Sequence, residues 1–257
     1  MHGHGHELRL YGHRGASALV PENTLEAFQQ ALADGANALE LDVHRTVDGE
    51  LVVAHDPDGS RMALSGNRIC DCTLDEVKAW DVGRGFGESA ANLHAMPTLT
   101  EVIDAFPGVP LSVDLKPNDP RIVTDVFRLI RTAGVEHLVT VGSFHPNLVY
   151  RLRRLGYSGP TSLTHGEVAA VRLLPLHLSR RLVGGQAAMI PRKGWGFTLD
   201  GPQFIARCRL LGLRVDYWVV NDPRAAHALL ASGATGIVTD DPQRIAPVVA
   251  EFDRAGA

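Results

Sequence analysis

Short apolar runs rich in β-branched residues alternate with helical patterns along nearly all of this 257-residue chain. A chain patterned this way has few options. Each strand needs neighbours, and a helix between two strands returns the chain so that the strands run parallel. The runs predict strands at Leu8–Gly12, Ala38–His44, Leu111–Leu115, Leu138–Val141, Thr161–Leu163, Ala187–Ile190, Arg214–Val220 and Gly236–Thr239. Helical patterns fill Thr24–Ala33, Arg121–Ala133, Pro146–Leu155, Pro202–Leu211 and Pro223–Ser232, with a last one at Pro242–Phe252. Eight strands with helical crossovers point to a closed parallel barrel.

One stretch breaks the alternation. Asp48-Gly49 is a hairpin turn signal, so Leu51–Ala54 is expected to return beside the end of the second strand. From Asp56 to Val109, 54 residues pass before the third strand, too many for a βα loop and its helix. Thr73 with Glu76 three residues on marks a capped helix, and Thr98–Phe106 reads as another. A loop-and-helix insertion over about 56–109, on the barrel face that carries the strand ends, accounts for the length. No Pro/Gly/Ser linker sets it apart, so one domain is expected over 1–257.

Composition narrows the function. The chain has 25 Lys and Arg against 29 Asp and Glu, a formal charge of −4, which gives no electrostatic reason to bind nucleic acid. No apolar run approaches the roughly 18 residues of a membrane helix, and the first residues lack a signal-peptide core, so a cytoplasmic protein is expected. Cys70, Cys72 and Cys208 fit neither a disulfide framework nor a zinc site. His2, His4 and His6 alternate with Gly in a tail-like start and are set aside from the site. Val168–Val183, rich in Leu and Arg but broken by Pro175, reads as an outer barrel helix in preference to a peripheral membrane element.

The densest polar cluster falls at the ends of the first strands. His13-Arg14-Gly15 follows the first, Glu40-x-Asp42 lies on the second, His55-Asp56 follows the hairpin return, and Asp114-x-Lys116 closes the third. Residues i and i+2 of a strand share a face, and C-terminal strand ends of a barrel converge on one mouth. Three carboxylates meeting there repel one another unless neutralised. Two solutions remain open on spacing alone: a hard divalent cation, for which oxygen ligands are suited, or ion pairs with Arg14, Arg45 or Lys116.

An ordered set of motifs contains these residues: His13-Arg14-Gly15, Pro21-Glu22-Asn23-Thr24, Gly35-Ala36, Glu40-x-Asp42-Val43, Thr46-x-Asp48-Gly49 and Val52-Val53-x-His55-Asp56. Met96-Pro97-Thr98-Leu99, Asp114-x-Lys116, Trp218-x-x-Asn221 and Gly236-Ile237-Val238-Thr239-Asp240-x-Pro242 follow. Together, over about residues 9–245, they resemble the glycerophosphodiester phosphodiesterase family. The resemblance implies a (β/α)8 TIM barrel with a small insertion after the second strand. It further implies metal-dependent hydrolysis of glycerophosphodiesters to glycerol 3-phosphate and an alcohol.

Carried onto this chain, the resemblance makes His13 and His55 the catalytic pair; the sequence does not fix their order, and His13 as base with His55 as acid is our working hypothesis. It makes Glu40, Asp42 and Asp114 ligands of Mg²⁺ or Ca²⁺, and Arg14 and Lys116 the phosphate-binding pair. Asp114 departs from the pattern, since Glu is the usual third ligand. Trp218 and Asn221 are expected to contact the glycerol or the leaving group, Ser143-Phe144 either to line the mouth or to be loop structure, and Asp240 to cap the last helix or orient neighbours. His44 is left out as structural. A lysophospholipase D-like activity is the alternative on the same fold, a non-catalytic phosphate-binding protein the alternative from another class. The released alcohol and the oligomeric state are not fixed by the sequence.

Overall fold

In the computed structural model, which describes residues 8–87, 93–194 and 196–256, the parallel barrel forms around the expected strands. The ring runs through β1 (Arg9–His13), β2 (Ala38–Arg45), β4 (Leu111–Leu115), β5 (Val139–Gly142), β6 (Ala187–Pro191), β9 (Arg214–Trp218) and β10 (Gly236–Thr239). β3 (Leu51–Val53) lies antiparallel on β2, as the Asp48-Gly49 turn requires. β10 pairs in parallel with both β9 and β1, which brings the ends of the series together. The predicted strand at Thr161–Leu163 is reduced to two single bridges, Val141 with Thr161 and Ser162 with Ala187. They carry the ring across the gap between β5 and β6. A short hairpin, β7 (Lys193–Gly194) with β8 (Phe197–Thr198), follows β6.

Strand alternation sorts side chains between two environments. Leu39, Leu41 and Val43 of β2 join one large apolar cluster with helix residues such as Phe28, Ile122 and Leu148. Their alternates Ala38, Glu40 and Asp42 face the barrel interior, where Ala38 packs with Tyr11 and Val238. Deep in that interior Asp216 accepts hydrogen bonds from Tyr11 (3.2 Å) and Thr235 (2.8 Å). Polar side chains inside the barrel are therefore partnered at one end and gathered around a cavity at the other.

The helices have local causes. Thr24 caps α1 (Leu25–Ala33) through the Ala27 N–H, and Asp119 caps α4 (Pro120–Ala133), which opens on a proline. α5 (Pro146–Arg154), α8 (Pro202–Leu210) and α9 (Pro223–Ala231) also begin on proline, while α10 covers Pro242–Gly256. Pro175 divides the Leu/Arg-rich stretch into α6 (His165–Leu173) and α7 (Leu176–Leu182). Within the insertion, α2 (Leu74–Lys78) and α3 (Leu99–Ala105) both start with a capping box, Thr73/Glu76 and Thr98/Glu101. The insertion has its own small apolar cluster of Ile69, Val77, Trp80 and Met96 built on Val52 of β3. Asp56 and Arg61 at its start reach His55 and Glu22 beside the mouth of the barrel. His2, His4 and His6 lie outside the described residues. Among the described residues no helix is long and apolar enough to cross a membrane.

Candidate active site

The turn after β1 places the first two functional side chains. His13 ends the strand, and the backbone then enters the left-handed region at Arg14 (φ 55°) and Gly15 (φ 88°). A Cβ on Gly15 would stand 2.5 Å from the carbonyl carbon of Ala27, so only glycine lets the turn lie against α1. The Arg14 N–H still donates to the Glu40 carbonyl at 2.9 Å, tying the turn to β2. Its guanidinium reaches Asp42 (3.2 Å) and Glu22 (3.0 Å).

Eight of the nine expected site residues line one cavity of about 210 Å³ at the strand ends: His13, Arg14, Glu40, Asp42, His55, Asp114, Lys116 and Trp218. Asp42 and Asp114 are register partners across β2 and β4, so strand pairing itself puts their side chains side by side. Lys116 Nζ sits between them, 2.9 Å from Asp42 Oδ1 and 2.8 Å from Asp114 Oδ2. The two carboxylates raise its pKa well above the usual lysine range, against the opposing effect of burial. Burial disfavours a charged Asp42, but Lys116 and Arg14 outweigh it and hold that carboxyl below its ordinary value. At Asp114 burial wins, with Lys116 opposing, and the pKa rises.

Glu40 is the under-compensated member. Burial and then the Asp42 charge push its pKa up to about 7, and its nearest cationic neighbour in an ion pair is the His13 ring at 3.9 Å. Among the described residues no three His, Cys, Asp or Glu side chains stand grouped as a ready metal site. Asp42 and Asp114 share Lys116 between them, so this cation already neutralises part of their charge.

Each histidine is oriented by a carboxylate. His13 Nδ1 lies 2.5 Å from Asp240 Oδ1, and His55 Nδ1 lies 2.7 Å from Asp56 Oδ1. A neutral ring that donates from Nδ1 keeps its Nε2 lone pair free for proton transfer. Burial lowers the proton affinity of His13, yet the Asp240 hydrogen bond and the Glu40 charge together leave its pKa raised. Asp240 falls to about 2, since the His13 and Asn221 contacts outweigh burial.

Asn221 does not reach the cavity lining. Its amide donates to Asp240 Oδ2 at 2.6 Å, and its carbonyl oxygen accepts from the Asp240 N–H and the Thr239 hydroxyl. It thus supports the carboxylate that orients His13. The cap of α10 falls to Asp241, whose Oδ1 accepts from the Arg244 N–H at 3.2 Å, leaving Asp240 for His13. His44 is buried with its ring on the His55 carbonyl (3.1 Å), a structural role that steadies the return loop.

Two residues escaped sequence reasoning although they stand in a quoted motif. Glu22 binds Arg14, and Asn23, buried and at φ 57°, donates to Asp42 Oδ2 at 3.1 Å. Pro21-Glu22-Asn23-Thr24 therefore supplies an arginine holder, an aspartate holder and a helix cap in succession. The unusual backbone at a buried asparagine was the available signal, and it is visible only in three dimensions.

The rest of the lining is mostly apolar, with Phe144, Leu163, Val168, Met189, Ile190 and Trp218, interrupted by Ser143, Ser162 and His165. Phe144 stacks edge-on against Trp218 with centroids 6.0 Å apart, and Lys116 Nζ lies 6.0 Å from the Phe144 ring where the charged and apolar parts of the lining meet.

The chain matches, over residues 13–244, the model of the glycerophosphoryl diester phosphodiesterase family. A glycerophosphodiester phosphodiesterase of Caldanaerobacter subterraneus is 31% identical over 246 residues, covering 93% of this chain and 97% of that protein. A human lysophospholipase D is 26% identical, covering 93% of this chain and 85% of the relative. An Oleispira antarctica phosphodiesterase, solved with its product sn-glycerol-3-phosphate, superposes with a TM-score of 0.78 at 22% identity, covering 94% and 96% of the two chains.

Proposed function

The chain belongs to the glycerophosphoryl diester phosphodiesterase family and is a phosphoric diester hydrolase; on that premise we propose that it cleaves glycerophosphodiesters to glycerol 3-phosphate and an alcohol at the barrel mouth, using His13 and His55 for proton transfer. The observation that carries this reading is the pair of carboxylate-oriented histidines beside Arg14 and Lys116 in one cavity. A phosphodiester bears one negative charge, which Arg14 and Lys116 neutralise while donating hydrogen bonds to the phosphoryl oxygens. One histidine takes the proton of the attacking hydroxyl or water and the other protonates the departing alkoxide.

The donor set suits a hard divalent cation, Mg²⁺ or Ca²⁺. Glu40, Asp42 and Asp114 would hold it, since all three line the one cavity. When bound, such an ion supplies further charge stabilisation at the phosphoryl oxygens. It would compete with Lys116 for the oxygens of Asp42 and Asp114. The short side chain of Asp114 leaves less reach than glutamate, by about one C–C bond of roughly 1.5 Å.

The apolar wall favours one second reading, a lysophospholipid in place of a small diester, an activity for which the human relative is named. Phosphorus NMR of glycerophosphocholine, glycerophosphoethanolamine and a lysophosphatidylcholine, each with Mg²⁺, with Ca²⁺ and with chelator, tests both. Glycerol 3-phosphate released from the small diesters, and lost with chelator, is the expected result. Turnover of the lysolipid alone replaces the first reading by the second. Unchanged turnover in chelator removes the metal.

A further inference from the structure

Arg61 lies in the insertion, is 46% exposed at its side chain, and is absent from the cavity lining, yet it is held by three charged hydrogen bonds. Nε donates to Asp56 Oδ2 at 2.6 Å. Nη1 and Nη2 donate to the two oxygens of Glu22 at 3.0 and 2.8 Å, a bidentate fork. Each carboxylate has a second partner in the mouth. Glu22 Oε1 accepts from Arg14 Nη1 at 3.0 Å, and Asp56 Oδ1 faces His55 Nδ1 at 2.7 Å. The result is a continuous hydrogen-bonded chain from His55 through Asp56, Arg61 and Glu22 to Arg14.

The placement of Arg61 is built into the backbone. The Gly85 N–H donates to the neighbouring Met62 carbonyl at 2.8 Å, and a Cβ on Gly85 would stand 1.9 Å from the Arg61 carbonyl oxygen. The segment at Arg84–Phe86 thus packs directly on the back of residue 61, and only glycine at position 85 admits the contact.

Resting on the phosphodiesterase reading above, we propose that Arg61 is the positioning residue of the site, a single guanidinium that sets the His55 ring through Asp56 and the Arg14 fork through Glu22. The residue that moves a proton and the residue that grips phosphate then share one reference point, carried by the insertion. The chemistry of arginine is required for this. Its planar fork donates in two directions at once, whereas a lysine ammonium is a point charge that cannot span both carboxylates in the same geometry. Without Arg61, Glu22 and Asp56 lose their common cation, and each keeps only its partner in the mouth. Loss of this bidentate fork on a largely buried Glu22 also costs some stability, so the kinetics are read on the folded fraction of each variant.

The test is steady-state kinetics on glycerophosphocholine with wild type, Arg61→Ala, Arg61→Lys, Glu22→Gln and Asp56→Asn. Arg61→Ala is expected to lower kcat and raise KM together, with kcat/KM down on the order of 100-fold, the cost of misplacing reacting groups by about 1 Å. Arg61→Lys should behave like Arg61→Ala. Glu22→Gln should carry mainly the KM effect and Asp56→Asn mainly the kcat effect. Combining Arg61→Ala with Glu22→Gln should raise KM no further than Arg61→Ala alone. Millimolar guanidinium ion should restore part of the activity of Arg61→Ala and leave wild type unaffected. Unchanged kcat and KM in Arg61→Ala overturn the inference. So does a kcat lowered only in proportion to the folded fraction, measured by near-UV circular dichroism, with KM unchanged. A wild type that turns over no glycerophosphodiester instead sinks the reading of the site and takes the inference with it.

Discussion

The two walls of the mouth are built differently. The wall from β1, β2 and β4 carries His13, Arg14, Glu40, Asp42, Asp114 and Lys116 on strands joined by continuous parallel ladders. The other wall carries Phe144, Leu163, Met189 and Trp218, and beside it the ring is crossed by two isolated bridges at Thr161 and Ser162. Charged side chains need fixed geometry, because their energies change steeply with distance and an unpaired buried charge is costly. Apolar contacts are non-directional and tolerate a less regular support. Under the proposed function, the charged wall moves protons and binds phosphate while the apolar wall selects the alcohol.

Removing the histidines should break the charged wall with the largest effect. His13→Ala and His55→Ala are each expected to lower kcat roughly 10²–10⁴-fold on a natural diester. A nitrophenyl ester needs little leaving-group protonation, so it should partly rescue the variant lacking the acid. Rescue of His55→Ala supports His13 as base; rescue of His13→Ala reverses the order. Near-normal turnover by both variants on the natural diester would dissolve the pair.

The bridge region gives the next effect, on stability. Glu167 is buried, and Arg153 spans it to the Thr161 hydroxyl and the Ser162 carbonyl, so side chains hold the gap where the ladder is missing. Burial favours the neutral acid, but Arg153 and the N–H groups of Thr164 and Gly184 outweigh it and depress the Glu167 pKa below 4.5. The folded value lies below the unfolded one, so this contribution is full above about pH 4.5 and is lost as pH falls through the folded pKa. Glu167→Gln should cost roughly 3 kcal/mol near pH 7, as expected for breaking a buried pair, and its penalty should shrink in acid. Urea titrations at pH 7 and pH 3.5 measure both. An equal penalty at the two values would show that the carboxylate charge is not what holds the gap.

The smallest effect belongs to the apolar wall. Phe144→Ala removes the ring that stacks on Trp218, an aromatic pair contributing about 1 kcal/mol beyond its area. KM for diesters with a bulky apolar alcohol should rise several-fold, while kcat and the KM for glycerophosphoethanolamine stay within about twofold. Equal changes for small and bulky substrates would mean that this wall does not select the alcohol.

Much of the charged wall was legible before folding. Glu40-x-Asp42 and Asp114-x-Lys116 are i, i+2 pairs on strands, and a period of two is a local property of the backbone. The hairpin at Asp48-Gly49 and the capping boxes at Thr73 and Thr98 were equally local, because turn and cap chemistry depends on a few neighbouring residues. Thr161–Leu163 was harder. Three apolar-polar residues suffice to predict a strand, but whether they form a ladder depends on how β5 and β6 stand on either side.

What the sequence determined by itself was the alternation that makes a barrel, the ends at which reactive side chains collect, and the motif set that places the chain in its family. Those follow from backbone periodicity and local hydrogen bonding. Tertiary structure alone decided the partners. Asp240 meets His13 across 227 positions and Arg61 meets Glu22 across 39, separations at which no local pattern specifies an encounter. It also turned Asn221 toward Asp240 and placed Lys116 between Asp42 and Asp114. A side chain's charge is written in its residue type, but its neighbours are set by how strands register and where loops close, and in a low-dielectric mouth it is the neighbours that fix which proton moves.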